Sequence, residues 1–122
     1  MPDTLKHFGA GYAPKGIMRG RLAIPLYDQS SHLLAYVGVA TSAEQEPHLL
    51  FPKDYDPRTT FFNAHRVKEG LLYVTREPTA VLSAYEHGIE NCVAVFGDLT
   101  TEALERLIAL MQAKTCEQVE LF

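Results

Sequence analysis

Apolar positions recur along this chain in short blocks, and their spacing differs between its two halves. Residues 2–8 carry the pattern of a last helical turn, with Gly9 and Gly11 as breakers. Residues 10–20, rich in Gly, Pro and Lys, read as a loop. Two strand-like runs follow, residues 21–27 and 33–39, separated by the polar stretch 28–32, and together they predict a β-hairpin. Pro25 places the first of these strands at an edge or a bulge, because proline cannot donate to a ladder. Residues 40–60 are irregular, with Pro47, Pro52 and Pro57 and one apolar island, Leu49, Leu50 and Phe51. A loop this long in a small domain has a binding role or structure of its own, and Phe61 and Phe62 anchor its far end.

After residue 70 the rhythm changes. Residues 71–74 read as a short buried strand. Pro78 suits a first helical turn, and residues 79–87 form a helix ended by Gly88. Residues 92–96 are a continuous apolar strand closed by Gly97 and Asp98. Thr100 is the N-cap of a helix over residues 101–113, with Leu104, Leu107, Ile108 and Met111 as its core stripe. Residues 118–122 make a third strand. The β-α-β-α-β order with short apolar strands predicts a parallel sheet covered by helices. The fold class is therefore α+β, with a small antiparallel β subdomain over residues 1–70 and an α/β unit with a mainly parallel sheet over 71–122. With so short a chain, the two share one core.

Composition narrows the function classes. The 122 residues are 47% apolar and 21% charged, which argues against disorder. No apolar run approaches the roughly 20 residues that cross a bilayer. The first residues, MPDTLKHF, lack a signal-peptide core, so a soluble, cytoplasmic protein without membrane partners is predicted. Cys92 and Cys116 have no CxxC spacing and behave as small core residues. His7, His32, His48, His65 and His87 show no ligand spacing either, which argues against metal held by His and Cys. The net charge of −4 divides unevenly: residues 1–70 carry eight Lys or Arg against seven Asp or Glu, and 71–122 carry three against eight. A uniformly basic nucleic-acid binder is excluded, but a local basic patch in the first half is not. The six tyrosines follow no RNP-like pattern, so base stacking has no support in the sequence.

Several segments, taken in order, resemble the catalytic core of bacterial DnaG-type primases, and most closely its phage and mobile-element branch with a CHC zinc finger. They are Phe8-Gly-Ala-Gly-Tyr-Ala-Pro14, Gly20-Arg-Leu-Ala-Ile-Pro-Leu-Tyr-Asp28 and Leu34-Ala-Tyr-Val-Gly38, then Phe51-Pro-Lys53, Phe61-Phe-Asn-Ala-His-Arg66, and Leu82 through Gly88-Ile-Glu-Asn-Cys-Val-Ala94. Gly97 and the helix after it fit as well. The resemblance covers nearly the whole chain and implies a primase-like β subdomain leading into a partial TOPRIM fold. It also implies that the basic residues of the first half, Lys15, Arg19, Arg21, Lys53, Arg66 and Lys68, with Arg58 beside them, face a nucleic-acid backbone.

The departures from the family pattern bear on catalysis. The family's first TOPRIM strand ends in Glu-Gly-x-x-Asp. Counting back from Gly88 puts Arg76 at the Glu, Glu77 at the Gly and Ala80 at the Asp. A shift by one residue gives Glu77 the acidic role, with Pro78 and Val81 at the other two positions. The hairpin's Gly-Arg pair is Gly38-Val39 here, and the Asp-x-Asp that closes the third strand is not reached at Phe122. The family uses Mg²⁺, which requires hard oxygen ligands at the ends of the parallel strands. Here those ends offer Arg76, Glu77 and Asp98.

The resemblance thus implies a catalytically degenerate primase/TOPRIM-like domain of a replication or mobile-element system, with no metal or cofactor of its own. Its partners would be single-stranded DNA, a primer-template, or a helicase or other replication protein. Two other readings stay open. One is a fragment of an active primase making RNA primers, with a metal site completed outside this chain and Glu77 in it. The other is a protein-interaction module pairing through an edge near Pro25 or Leu121-Phe122. Arg76 is either a phosphate ligand in a converted site or a tolerated substitution. Asn63, His65 and Arg66 read as a structural polar cluster, and Asp98 as a turn and cap residue.

Overall fold

The structure, a computed structural model, describes residues 2–122 and contains two sheets of opposite character. Helix α1 (Pro2–Phe8) precedes an antiparallel sheet of β1 (Gly11–Tyr12), β2 (Leu22–Tyr27), β3 (Leu33–Val39) and β4 (Leu49–Leu50), paired in that order. Strands β2 and β3 form the predicted hairpin, from Leu22 opposite Val39 to Tyr27 opposite Leu33. Its turn is held by Asp28, whose Oδ1 accepts the backbone N–H groups of Ser30 and His32, each at 2.9 Å. Strand β1 covers only Leu22 and Ala23, so Pro25 sits on the stretch of β2 that β1 leaves open. A register irregularity follows between Leu26 and Tyr27.

The second half alternates β5 (Leu71–Thr75), α2 (Pro78–Glu86), β6 (Cys92–Ala94), α3 (Thr101–Ala113) and β7 (Gln118–Leu121). The strands are parallel, in the order β6-β5-β7. Pro78 opens α2 at a position where a missing N–H costs no helical hydrogen bond. Gly88, at φ +85°, carries the chain out of α2 through a conformation that other residues rarely adopt. Thr100 caps α3, its Oγ1 accepting the N–H of Ala103 at 3.2 Å.

Two apolar clusters hold these layers. One joins Phe8, Ile24, Leu26, Val37, Val39 and Phe62 of the first half to Val81, Leu82, Cys92 and Phe96 of the second. The other lies under α3 and gathers Phe61, Ala64, Val67, Leu72, Val74, Val93, Val95, Leu107, Leu110 and Cys116. The adjacent Phe61 and Phe62 therefore anchor into different clusters. Phe62 also exchanges both backbone hydrogen bonds with Ala94, at 2.9 and 3.2 Å, tying the end of the long loop to β6. Burial of each such side chain contributes about 1.5–3 kcal/mol.

Three expectations need correction. The stretch 10–20, read as a loop, holds the short strand β1, whereas 40–60 has the structure of its own that its length implies, β4 and a 3₁₀ turn at Pro57–Thr59. Residues 95 and 96 lie beyond β6 proper, although both are buried and Val95 still donates to Thr75 O. In α3, Leu104 and Ile108 are 44% and 54% exposed, and Leu110 replaces them on the buried side with Leu107. Among the described residues, no helix is long and apolar enough to cross a membrane.

Candidate functional site

Parallel strands deliver their following residues to one end of the sheet, where α/β proteins place their sites. After β5 come Arg76 and Glu77, and beyond β6 comes Asp98. Arg76 Nη2 donates to Asp98 Oδ1 at 2.8 Å, an exposed pair closing the gap between the two strand ends. Glu77 Oε2 lies 2.8 Å from His48 Nε2, and its Oε1 accepts from Thr79 Oγ1 at 3.3 Å. Ala80, in the first turn of α2, brings only a methyl group. Beside Asp98 a cavity of about 220 Å³ is lined by Arg58, Phe96, Gly97 and Thr100, so Arg58 belongs to this end of the molecule. The Arg58 side chain binds Asp56 with two hydrogen bonds, 3.0 and 3.1 Å, which hold the Asp56 carboxyl below the usual carboxylate range.

Magnesium, which the primase resemblance implies for these strand ends, takes octahedral oxygen ligands. The side chains present are Arg76, Glu77, Ala80 and Asp98: one cation, one methyl and two carboxylates already engaged. That set does not fit the ion.

The basic residues separate into groups. Lys15 and Arg19 are exposed on the loop between β1 and β2, and Lys53 is exposed after β4. Arg66 and Lys68 are exposed and line one cavity together. Arg66 Nη1 donates to His7 O at 3.0 Å. Arg21 differs. It is only 6% exposed, and its Nη1 donates to Pro47 O at 2.6 Å, with Gly38 O and His48 O at 3.4 and 3.5 Å. The residue expected to face phosphate is instead committed to holding the loop after β3 against the sheet. Thr41 Oγ1 and Gln45 Nε2 add hydrogen bonds to Gly20 O, at 2.8 and 3.0 Å. Gly38 makes room for Arg21, since a Cβ there would meet Arg21 Cδ at 2.9 Å.

The polar cluster at 63–66 is largely structural. Asn63 is 4% exposed, in a left-handed conformation at φ +70°, and its Nδ2 donates to Cys92 O at 3.0 Å. The His65 ring lies 4.7 Å from that of Tyr27, and burial, then the Arg66 charge, lowers its pKa. Asp98 pairs with Arg76 through its carboxylate, and the capping falls to Thr100. Sequence reasoning missed His48, because nothing local marks a residue whose partner lies 29 positions away. The prolines flanking a long loop were the only available signal.

No protein-family model matches the sequence. No curated protein matches it significantly. Solved structures do match in fold. The structure of a DnaG catalytic core aligns with 99% of this chain and 50% of its own, with a TM-score of 0.76 and 14% identity. The zinc-binding and RNA polymerase domains of Aquifex aeolicus primase align with 100% of this chain and 39% of theirs, with a TM-score of 0.78 and 17% identity. A DnaG primase catalytic domain bound to ssDNA aligns with 98% of this chain and 44% of its own, with a TM-score of 0.69 and 17% identity. At such identities the likeness establishes the fold, an α+β primase-core architecture. The chain spans half of the first of these structures and less of the others.

Proposed function

We propose that this chain is a primase-like, nucleic-acid-binding domain of a DNA-replication or mobile-element system, in which a TOPRIM-like sheet end no longer polymerises. The observation that carries this reading is the Arg76–Asp98 pair at 2.8 Å, in the place where the resemblance puts a metal-binding Glu. A guanidinium there repels a divalent cation and attracts a phosphate. Arg58 and Arg76 at the strand ends, with Lys15, Arg19 and Lys53 on the loops, supply backbone contacts that carry no sequence information. The partner on this reading is DNA, single-stranded or as a primer-template, since one structure of the same fold is bound to ssDNA and another to a double-stranded DNA oligomer with a 6-nucleotide overhang. A helicase or another replication protein is a further partner on this reading, and the cytoplasm is its place of action.

Fluorescence anisotropy with an oligo-dT probe over a salt series tests it. Binding should weaken linearly in log salt, with about 0.7 counterions released per neutralised phosphate. Arg76→Ala should reduce that slope by roughly one contact. Primer synthesis from ribonucleotides and Mg²⁺ should stay at background for the wild type. Binding that ignores salt, or primers made by this chain, would overturn the proposal.

A further inference from the structure

A groove of about 460 Å³ opens between the hairpin turn, the loop that leads to β5, and helix α3. Its floor is apolar and buried, made of Phe61, Ala64 and Leu110. Its walls are the exposed Leu34 of the hairpin and the exposed Ala109 and Ala113 of α3. Arg106, Ala109, Leu110 and Ala113 follow at i, i+3, i+4 and i+7, so they form one face of the helix. The two alanines keep that face low, which lets the backbone of another helix come close.

Only two charged residues line the groove, Arg106 and Asp28, and they mark opposite ends of it. The Asp56 carboxyl, held low first by Arg58, also feels the charge of Arg106, so Arg106 lies at the end next to Asp56 and Thr59. The lowered pKa of His65 has burial as its first cause, and the charges of Lys114 and Asp28 both act on it. Asp28 therefore lies at the Ala113 end, next to Lys114. Seven residues of helix separate Arg106 from Ala113, a rise of about 10.5 Å. Both charges are open to a partner. Among the described residues the Arg106 guanidinium makes no hydrogen bond or ion pair. Asp28 Oδ1 is held by the N–H groups of Ser30 and His32, while Oδ2 has only the exposed His32 ring, at 3.4 Å.

An apolar floor with a cation at one end and a carboxylate at the other excludes two kinds of occupant. A nucleic-acid backbone would set phosphate against Asp28, and a wholly apolar ligand would leave both charges unmatched. Two helical turns of an amphipathic segment match the length, the floor and the charges together.

We propose that this groove docks an amphipathic helix of a partner protein, with an acidic residue on Arg106, apolar residues three and four positions along on Phe61 and Leu110, and a basic residue at the seventh on Asp28. The groove shares no charged residue with the Arg76–Asp98 end, so the proposal stands whether or not that end binds nucleic acid.

The test is a titration of the isotopically labelled full chain, followed by nuclear magnetic resonance. The probe is a synthetic alanine-based helical peptide carrying glutamate, leucine, leucine and lysine at i, i+3, i+4 and i+7. It should give saturable shifts at the backbone of Leu34, Phe61, Ala109 and Ala113, and none at Arg76 or Asp98. Replacing both leucines of the peptide with alanine should weaken binding at least about tenfold, since the buried apolar area is lost. Arg106→Glu, on an exposed side chain, should weaken the peptide about two- to fivefold, the worth of one rim charge pair. The same variant should bind a peptide with lysine at both ends more tightly than the wild type does, by a like factor. Affinity that ignores these charge changes, shifts confined to other surfaces, or no shifts at all would each overturn the proposal. So would an oligo-dT probe or hexanoate that shifts the groove residues where the peptide does not, because the occupant would then be a strand or a small molecule.

Discussion

The imidazole of His48 and the carboxylate of Glu77 meet at 2.8 Å across 29 positions of sequence. The contact joins the loop after β3 to the residue that precedes α2, and it occupies the one carboxylate that a shifted register would offer to a metal. Both side chains remain partly exposed, so the pair is worth less than about 1 kcal/mol. Glu77→Gln should therefore leave overall stability within that margin. The loop should nevertheless loosen. Hydrogen exchange at Ala40, whose N–H binds His48 O at 2.8 Å, should accelerate, while exchange at Val74 in β5 stays slow. Equal acceleration at both sites would mean that the contact supports the whole fold.

Gly38 and Arg21 should show energetic coupling. A methyl at position 38 would press on Arg21 Cδ at 2.9 Å and on Met18 Cγ at 3.2 Å. Gly38→Ala should cost about 1–3 kcal/mol through overpacking. Arg21→Ala should cost about 1–3 kcal/mol by leaving the Pro47 carbonyl without its donor. Because truncating the side chain at position 21 vacates the space that a methyl at position 38 needs, the double variant should lose less than the sum. Urea denaturation of the four proteins measures the difference, and strict additivity would show that the side chain at 21 does not press on position 38.

Helix α3 offers a contrast within one element. Leu104→Lys and Ile108→Lys should each change stability by no more than about 0.5 kcal/mol, since both side chains face solvent. Leu107→Ala should cost about 2–5 kcal/mol, because Leu107 lies in the cluster with Val74 and Val93. Thermal or urea melts of the three variants check the pattern.

That contrast marks how far the sequence was legible. Periodicity identified α3, its cap at Thr100 and both hairpin strands, because those signals are local. It could not say which side of α3 faces the sheet. Leu104, Leu107, Ile108 and Leu110 are equally apolar, and only the packing of the finished fold leaves Leu104 and Ile108 on the solvent side. The strand-end residues Arg76, Glu77 and Asp98 were visible by position, yet the pairing of Arg76 with Asp98 and of Glu77 with His48 was not. Arg21 misled for a related reason: a cation beside a glycine loop looks the same whether it faces phosphate or a buried carbonyl. Only the approach of the Pro47 carbonyl decides between them.

The two cysteines should be silent in the native state. Burial pushes the Cys92 thiol up to about 11, leaving almost no thiolate near neutral pH. Cys116 is buried as well, with its Sγ 3.1 Å from Lys68 O. Iodoacetamide at neutral pH should label neither, and both should react in denaturant. Fast labelling of Cys92 without denaturant would reveal frequent opening between β6 and the long loop.

Stability should also depend on pH in a window set by two histidines. Burial is the first cause of a lowered pKa for both His7 and His65, and Arg66 is the second for each. Glu90 opposes the shift at His7, and Asp28 opposes it at His65, while Lys114 adds to it there. As pH falls through the ordinary imidazole value of 6.5, the unfolded chain takes up protons that the folded chain refuses. Stability is therefore full above that pH, declines as pH drops toward the folded values, and levels off below them. The carboxylates of Asp28 and Asp56 are shifted down by hydrogen bonds from His32 and Arg58, so their loss begins only below the ordinary carboxyl value of 3.8. Urea midpoints taken from about pH 7.5 to 5 should fall for the wild type, and His7→Gln with His65→Gln should flatten the curve. A wild-type midpoint that rises on acidification through this range would mean that both imidazoles gain, rather than lose, proton affinity on folding.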